Sequence, residues 1–565
     1  MTGLPGSGRG RLLAAGAVVA GLAVVYGAGY ASHPATIGSG AELAQATGVP
    51  VVSAVRACPA PGSAGATAAS VATAAVPATS GPGTTRPAAP GQAAAGQSAS
   101  GQPAADSLVI SRLSGTGGVS AGPALHTLAR PGVLGWSTVR TAPAPKVKKT
   151  TKPKTSGTGG SGSSGTGGTG GTGGTGSGSG GTGTATGGTA PDVATLPGRG
   201  GVAVQAAGAM AQGLEVEQTG PGGLVTAPCP APGTDFWFAG PGPDAVAGIQ
   251  LYLMNTDSEP ADVEVDAVTD SGPLVGSTDT GIVVPPHGLV TQSLGKLLHN
   301  SRVIGLHVST SVGRVAAAVR ESKSGTEPGG WLTPLQPPSR HLVIPGLPKS
   351  AGARDLYIIV PGSNSAQLKI TAVTAKGSYQ PTGGNGIDLA GDSVVTVKLP
   401  SLSEVAAAVK ITASVPVVAA VQVPGGASGA PGAFSGAAAP VREQGIAAAN
   451  PAGGTGSADL VLSAPGAAAS VRVATATSKI AVDGGRVVHI AAGHTVVTRI
   501  KPPVGGKTAA FAVVVTPQPG SGPVYAGRFI ASGGVIRSIL PVTSALTWVP
   551  LAATRDSLDA VRPAS

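Results

Sequence analysis

Three stretches with the same alternation decide the fold: VEVDAV (263–268), LKITAV (368–373) and VRVATA (471–476). In each, apolar and polar residues alternate with a period of two, which is typical of a strand with one buried face. A second apolar run precedes each by about a dozen residues: LYLMN (251–255), LYIIV (356–360) and LVLSA (460–464). These runs start 356 − 251 = 105 and 460 − 356 = 104 residues apart. The spacing predicts three copies of one β unit.

The remainder of each copy repeats as well. A turn and a third strand follow in PPHGLVTQSL (285–294), AGDSVVTVKL (390–399) and AGHTVVTRI (492–500). Each copy then ends in a predicted hairpin: LHVSTSVGRVAAAVR (306–320), VKITASVPVVAAVQV (409–423) and FAVVVTPQPGSGPVYAGRF (511–529). Units of about 100 residues with short alternating strands and Gly/Pro turns predict an all-β chain of tandem Ig-like β-sandwiches. The predicted boundaries are 196–325 for the first sandwich, 340–424 for the second, 425–456 for a linker, 457–551 for the third and 552–565 for a loose tail.

The N-terminus predicts export. Arg9 and Arg11 precede an uncharged run from Leu12 to Ala31, and 20 residues are about enough to cross a bilayer as a helix. We expect 1–11 to stay in the cytoplasm and 12–31 to form a single membrane-spanning helix, with the bulk of the chain outside. Small residues near Ala31 leave a cleaved signal peptide, and hence a secreted protein, as the alternative.

The only two cysteines, Cys58 and Cys229, both stand in the string CPAPG. In an exported chain they predict one disulfide, the alternative being two unrelated buried thiols. The strand 46–58 that leads into Cys58 is then expected to belong to the first sandwich, with 59–195 as an insertion looped out of that domain.

The insertion 59–195 is rich in Gly, Ala, Ser and Thr and predicts a flexible, low-complexity tract, because it has too little apolar surface to offset the cost of ordering. The stretches 107–113 and 126–139 are more apolar and are candidates for docking on the first sandwich. The stretch 140–154 carries six cations, and predicts a solvated linker or a contact with anionic wall polymers or lipid head groups. Because these cations lie in a linker and aromatic residues are only 3% of the chain, nucleic-acid binding is not expected.

No catalytic, cofactor or metal residue is predicted. His287, His494 and Asp392 occupy what looks like one repeated turn, which favours a structural role. GGKT (505–508) lacks the upstream glycine of a phosphate-binding loop. The remaining histidines considered lack neighbours at metal-ligand spacing: His299, His307, His341 and His489.

Two further groups allow a functional interpretation beside a structural one. Asp262, Glu264 and Asp266 alternate with apolar residues, which predicts a solvated strand face, or alternatively a weak calcium site. The densest aromatic cluster, Phe236, Trp237 and Phe238, predicts core packing or an exposed surface for glycan or partner binding.

Five short blocks occur in a fixed order along the chain: VPVVSAVRACPAP (49–61), CPAPGTDFWFAGPG (229–242), VPPHG (284–288), GRVAAAVR (313–320) and VIPGLPK (343–349). These blocks and their order resemble an actinobacterial exported family, domain of unknown function 5719. The resemblance covers about 45–60 and 200–540, and implies export but no established activity. The Gly/Thr-rich insertion departs from the family pattern.

These observations lead to one main hypothesis. We expect a non-enzymatic, membrane-anchored envelope protein whose sandwiches bind wall glycan or envelope proteins. One alternative is an accessory subunit of an envelope glycan-modifying machine, and another is a hydrolase. Exposed acids grouped with a histidine would favour the hydrolase, and an exposed Trp237 on a flat face would favour glycan binding.

Overall fold

The structure is a computed structural model in which the chain is all-β. It describes residues 47–59, 68–77, 106–113, 125–126, 132–141, 192–196, 200–220, 224–274, 281–295, 298, 301–322, 330–349, 352–402, 405–425, 432–453, 456–482, 484–504 and 510–551. Strands make up 64% of these residues, and they contain no α-helix. They do contain two short 3-10 helices, Gly208–Met210 and Pro400–Leu402.

After β1 (Thr47–Pro50), the chain builds a module that we call module 1. Its strands are β2 (Ser53–Cys58), β3 (Ala68–Ala75), β4 (Ser107–Leu113), β5 (Leu125–His126), β6 (Leu134–Thr141), β7 (Asp192–Leu196), β8 (Gly201–Ala207), β9 (Leu214–Thr219) and β10 (Thr226–Pro228). They form two sheets, in the orders β2-β8-β4-β5 and β10-β9-β3-β6-β7. Both sheets contribute to one apolar core, which includes Val71, Ile110, Val204 and Leu214.

The predicted disulfide is present in this core. Cys58 and Cys229 are bonded across 171 residues of sequence, and both are almost fully buried. The strand that ends at Cys58 pairs antiparallel with β8, as expected from the prediction that it joins the part of the chain after residue 195.

The described parts of 59–195 differ from the predicted flexible insertion. They contain β3 to β7, and Ser107–Leu113 pairs with β8 along its whole length. The sequence AASVATAA of the strand Ala68–Ala75 has the composition of a low-complexity segment and gives no strand signal. Ala, Ser and Thr are nevertheless small enough for closely packed sheets. The strands up to β10 therefore form a module of their own, and the first predicted sandwich, 196–325, divides after residue 228.

Modules 2, 3 and 4 follow. Module 2 contains β11 (Asp235–Pro241), β12 (Gly248–Met254), β13 (Ala261–Thr269), β14 (Gly272–Pro273), β15 (Ile282–Val284), β16 (Leu289–Ser293), β17 (Val303–Val312), β18 (Ala316–Ser322) and β19 (Trp331–Leu332). Module 3 contains β20 (Ser339–Leu347), β21 (Arg354–Val360), β22 (Ala366–Thr374), β23 (Gly377–Tyr379), β24 (Asn385–Leu389), β25 (Ser393–Leu399), β26 (Ala407–Val423) and β27 (Ala433–Gly436). Module 4 contains β28 (Gly445–Pro451), β29 (Ser457–Ala464), β30 (Ala469–Ala476), β31 (Arg486–Ile490), β32 (His494–Ile500), β33 (Ala510–Pro517), β34 (Tyr525–Ser532) and β35 (Val535–Val542).

The three modules share one topology, so the internal repeat is present in the structure. One sheet runs β11-β17-β13-β15 in module 2 and β28-β33-β30-β31 in module 4. The other runs β16-β12-β18-β19 and β32-β29-β34-β35. In module 3 the same pairings occur, but β26 takes part in both sheets.

The predicted hairpins at the end of each copy are wrong. β17 pairs with β11 and β13, whereas β18 pairs with β12 and β19, so the chain crosses between sheets at this point. In module 3 the crossing has no turn at all, since the 17 residues of β26 continue from one sheet into the other. Alternation alone could not distinguish the two cases, because a hairpin and a sheet crossing need the same two half-buried strands.

The modules pack on one another through the second faces of their sheets. On β12, Leu251 and Leu253 lie in the module 2 core, while Tyr252 and Met254 pack against module 1. On β33, Val513 lies in the module 4 core and Ala512 packs against module 1. These sheets are therefore buried on both faces, whereas a sheet of an isolated sandwich has one face open to solvent.

We call each contact between modules a seam, and the seams close a cycle from module 1 through 2, 3 and 4 back to 1. Seam residues are Ala57, Ala203, Tyr252 and Ala316 (modules 1 and 2), Trp237, Ile359, Val418 and Ala420 (2 and 3), Val343, Val373, Ala408 and Tyr525 (3 and 4), and Ala72, Ala74, Ala448 and Val514 (4 and 1). Strands β27 and β28 lie in the predicted linker 425–456 and belong to this packed structure.

A buried ion pair crosses the seam between modules 4 and 1. Arg528 Nη2 lies 2.6 Å from Glu217 Oε2, and both side chains are at most 3% exposed. Arg528 Nη1 donates to the carbonyl of Ala449, while Glu217 Oε1 accepts from the N–H of Ala448. Burial raises the pKa of the Glu217 carboxyl, and the charge of Arg528 opposes that rise.

All four modules lie within one compact unit, Pro50–Val549. The second unit consists of Met1–Val49 and Pro550–Ser565. Its described residues belong to a two-stranded sheet of β1 with β36 (Trp548–Leu551). Among the described residues no helix has the length and apolar character needed to cross a membrane. The predicted span 12–31 and the predicted tail 552–565 lie outside the described residues.

Candidate binding surface

A row of three side chains crosses the sheet β11-β17-β13 of module 2. Trp237 on β11 and Asp266 on β13 both stand directly opposite His307 on β17. The next row along the same face consists of Asp235, Ser309 and Glu264. Because side chains two residues apart share a face of a strand, these two rows form one surface. We call these six residues the acidic surface.

His307 is the centre of the acidic surface. Its Nε2 lies 3.1 Å from Asp235 Oδ1, and its Nδ1 lies 3.4 Å from Asp266 Oδ2. The imidazole stacks on the indole of Trp237, with ring centroids 4.1 Å apart and an angle of 15° between the rings. Each ring nitrogen of His307 therefore faces a carboxylate from a different strand.

The carboxylates around His307 are open to solvent. The side chain of Asp235 is 49% exposed and that of Asp266 is 70% exposed, against 27% for His307. Glu264 on β13 is also exposed, while Val263 and Val265 between these acids are buried in the module 2 core. The predicted solvated acidic face is therefore present.

The aromatic cluster takes the core-packing alternative. Phe238 is fully buried, Trp237 is 9% exposed, and Phe236 packs partly buried against the same module 2 core. Trp237 stacks beside His307 and is almost fully buried, and its Nε1 makes no hydrogen bond within the described residues. Phe236 and Phe238 point to the opposite face of β11 from Trp237, so the three rings do not form one exposed flat face.

The acidic surface offers both hydrogen-bond acceptors and charged groups to a ligand. Acids are grouped with a histidine here, which is the arrangement expected of a hydrolase. Both nitrogens of His307 face carboxylate oxygens, at 3.1 Å from Asp235 and 3.4 Å from Asp266. The exposed carboxylates can accept hydrogen bonds from hydroxyl groups or pair with cations.

The calcium alternative for the acids of β13 finds no support in the geometry. Within the part of the chain that the structure describes, no three His, Cys, Asp or Glu side chains are grouped closely enough to hold a metal ion. Asp262, Glu264 and Asp266 follow one another along a single strand face, so they do not converge on one point.

His287 and Asp392 stand in the predicted turn, but His494 does not share their position. Both have left-handed backbones, with φ of 47° and 46°, and the third left-handed residue of the repeat is Gly493. The strand registers agree, because Met254 opposes Leu289, Ile359 opposes Val394 and Ser463 opposes Thr495. The sequence alignment of this turn was therefore wrong by one residue in module 4, where His494 begins β32.

The other histidine candidates that the structure describes form no second group of this kind. His489 bonds the hydroxyl of Ser470 at 2.7 Å, and His341 lies on β20. His299, GGKT (505–508) and the lysines at 146–154 lie outside the described residues.

Sequence reasoning missed His307 and Asp235. His307 was dismissed because it has no neighbour at ligand spacing, yet its partners come from two other strands, 41 and 72 residues away in sequence. The spacing of Asp235 and Trp237, two residues apart in one strand, could have placed them on one face. Knowing which strand lies next to β11, however, required the order of the strands in the sheet.

The chain belongs to a family of unknown function, DUF5719, whose model matches residues 184–501. The match covers 501 − 184 + 1 = 318 of the 565 residues and includes the acidic surface. No curated protein and no solved structure matches the chain.

Proposed function

We propose that this protein is a non-enzymatic, exported envelope protein that binds wall glycan through the acidic surface of module 2. The N-terminal run 12–31 anchors it in the membrane, and the disulfide-linked modules lie outside. In this proposal the closed cycle of modules is a rigid support that presents the surface.

One observation carries the proposal: an exposed group of carboxylates around His307 stands on a scaffold whose other sheet faces are largely used in seams. A sugar offers many hydroxyl donors, and several carboxylates on a rigid sheet can accept from them together. The stack of His307 on Trp237 holds the centre of the surface in place.

Export is supported by the disulfide Cys58–Cys229, since such bonds persist in oxidising compartments. The run of 20 uncharged residues after Arg11 supports an anchor, in agreement with the exported family that the sequence resembles.

We further propose that modules 2 to 4 are relatives of Ig-like sandwiches. Ig domains place strands B and E in one sheet and C and F in the other. The pairs β12–β16 and β13–β17 correspond to these adjacencies. The departure lies in β18, which pairs with β12 instead of extending the sheet of β17.

The experiment uses the full chain, purified oxidised in nonionic detergent and mixed with isolated cell walls or with solubilised envelope protein. The double variant Asp235→Asn with Asp266→Asn tests the surface. The matched control, Asp244→Asn with Asp388→Asn, removes two exposed carboxylates elsewhere. We expect saturable wall binding that weakens about tenfold or more in the first variant and is unchanged in the control.

Two results would overturn the glycan proposal. Equal wall binding by both variants would mean that the acidic surface takes no part. Capture of one defined envelope protein without wall binding would favour the alternative, an accessory subunit of a glycan-modifying machine. New reducing ends or released fragments in the wall sample would instead show that the protein is a hydrolase.

A further inference from the structure

A cleft of about 780 Å³ opens in module 4, where the end of β30 and the start of β31 face the end of β32. Its lining includes Arg486, Arg499 and Lys501, with Thr475, Thr498 and Val497 between them. This volume lies within the range of small-molecule sites. The cleft is in a different module from the acidic surface and shares no residue with it.

The cleft is cationic. Three of the described residues that line it carry a positive charge, and none carries a carboxylate. Lys501 is exposed and forms no ion pair within the described residues. Arg499 is held by Asp459, with Nε 2.5 Å from Oδ1, so one of the three charges is balanced and two are left.

A hydrogen bond ties Arg486, at the start of β31, to the backbone near the end of β32. Gly484 and Gly485 both have left-handed φ values, 55° and 83°, and lead directly into Arg486 at the start of β31. Arg486 Nη2 then donates to the carbonyl of Arg499 at 3.2 Å. The guanidinium of Arg486 therefore lies at the cleft, next to the backbone of β32.

Comparison with module 3 shows which cations are particular to this cleft. The pair Asp459–Arg499 has a counterpart in Asp355–Lys398, at the same register of the equivalent strands. The other two cations have none. The backbone of Ile370 bonds Gly384 where the equivalent Val473 pairs with Arg486, and Pro400 follows β25 where Lys501 follows β32. Arg486 and Lys501 are thus additions to a shared framework.

We propose that this cleft binds an anionic saccharide, a sugar that carries a phosphate or a carboxylate group. Arg486 and Lys501 recognise the anion, since guanidinium and ammonium groups form charge-assisted hydrogen bonds with both. Thr475 is partly exposed and offers a hydroxyl to those of a sugar, and the exposed side chain of Val497 offers an apolar contact. This site is independent of the glycan proposal for module 2.

The test is isothermal titration calorimetry of the full oxidised chain in nonionic detergent. The probes are glucose 6-phosphate, glucuronate, glucose and inorganic phosphate. We expect the two anionic sugars to bind more tightly than glucose or phosphate alone, and the stronger of them identifies phosphate or carboxylate as the source of the charge. Arg486→Ala with Lys501→Ala should weaken that binding roughly 10- to 100-fold.

Arg472→Ala is the matched control, because Arg472 is an exposed arginine of the neighbouring strand β30 outside the cleft. It should bind the anionic sugars as the wild type does. Equal weakening in Arg472→Ala, or equal binding of all anions including phosphate, would mean non-specific attraction and overturn the proposal. No heat with any probe, from protein that unfolds cooperatively on heating, would overturn it too.

Discussion

Modules 2 and 4 place the same three strands side by side but bury the same face of them to different extents. In module 2 the row Trp237, His307 and Asp266 ends in solvent. In module 4 the corresponding row is Ile446, Val514 and Ala474, and Val514 is buried against module 1. The topology thus offers a sheet face, and the side chains decide whether that face becomes a surface or a seam.

The largest expected effect comes from the seam of modules 4 and 1. Arg528→Met leaves the Glu217 carboxylate buried without its partner, so the free energy of unfolding should fall by about 3–5 kcal/mol. Denaturant unfolding followed by circular dichroism measures this change. Adding Glu217→Gln should restore part of the loss, and a single variant as stable as the wild type would contradict the structural role of the pair.

Exchanging residues between the two rows tests the comparison directly. Val514→His places the module 2 residue in the seam, where it has no carboxylate partners, and should cost about 3 kcal/mol through overpacking and an unsatisfied polar group. His307→Val, on the exposed row, should cost less than about 1 kcal/mol. Similar losses for both, measured in the same denaturant series, would show that the two faces do not differ as described.

The repeated turn gives a smaller effect. Gly493→Ala puts a Cβ on a backbone with φ of 72° and should destabilise module 4 by about 1 kcal/mol. His287→Gly removes the strain of a side chain on the same left-handed backbone in module 2, so it should be neutral or slightly stabilising. Thermal unfolding of both variants checks this, and a neutral Gly493→Ala would reject the equivalence of the two positions.

The smallest effect concerns a charge network found beside that turn in module 2. The hydrogen bond from Arg314 Nε to Asp257, 2.8 Å long, lowers the pKa of the carboxyl, and the charge of Arg314 adds to this. Its stabilisation is therefore present above the ordinary aspartate pKa, near 4, and is lost as the pH falls through the lowered value. Arg314→Gln should bring the pKa back toward the ordinary range in an NMR carboxyl titration, and an unchanged pKa would exclude the pair as its cause.

Much of the fold could be predicted because alternation marks strands. The three copies of the β unit, the all-β class and the pairing of Cys58 with Cys229 followed from local patterns and from the repeated CPAPG. The strand Ala68–Ala75 and the strands β27 and β28 could not be predicted, because their small residues resemble those of a linker. The sheet crossing in β26 also left no local signal.

The candidate surface was predictable only in part. The acids of β13 were expected on one exposed face, and Trp237 was recognised as notable. Their connection through His307 was not, because it depends on β17 lying between β11 and β13.

The sequence by itself determined the strands, the repeat and the disulfide, because each depends on neighbouring residues or on the only two cysteines in the chain. The tertiary structure alone decided which sheet faces became seams, and that Asp235, His307 and Asp266 meet. The residue pattern of a strand shows which of its faces are apolar. Which element packs on each face depends on contacts between residues far apart in sequence.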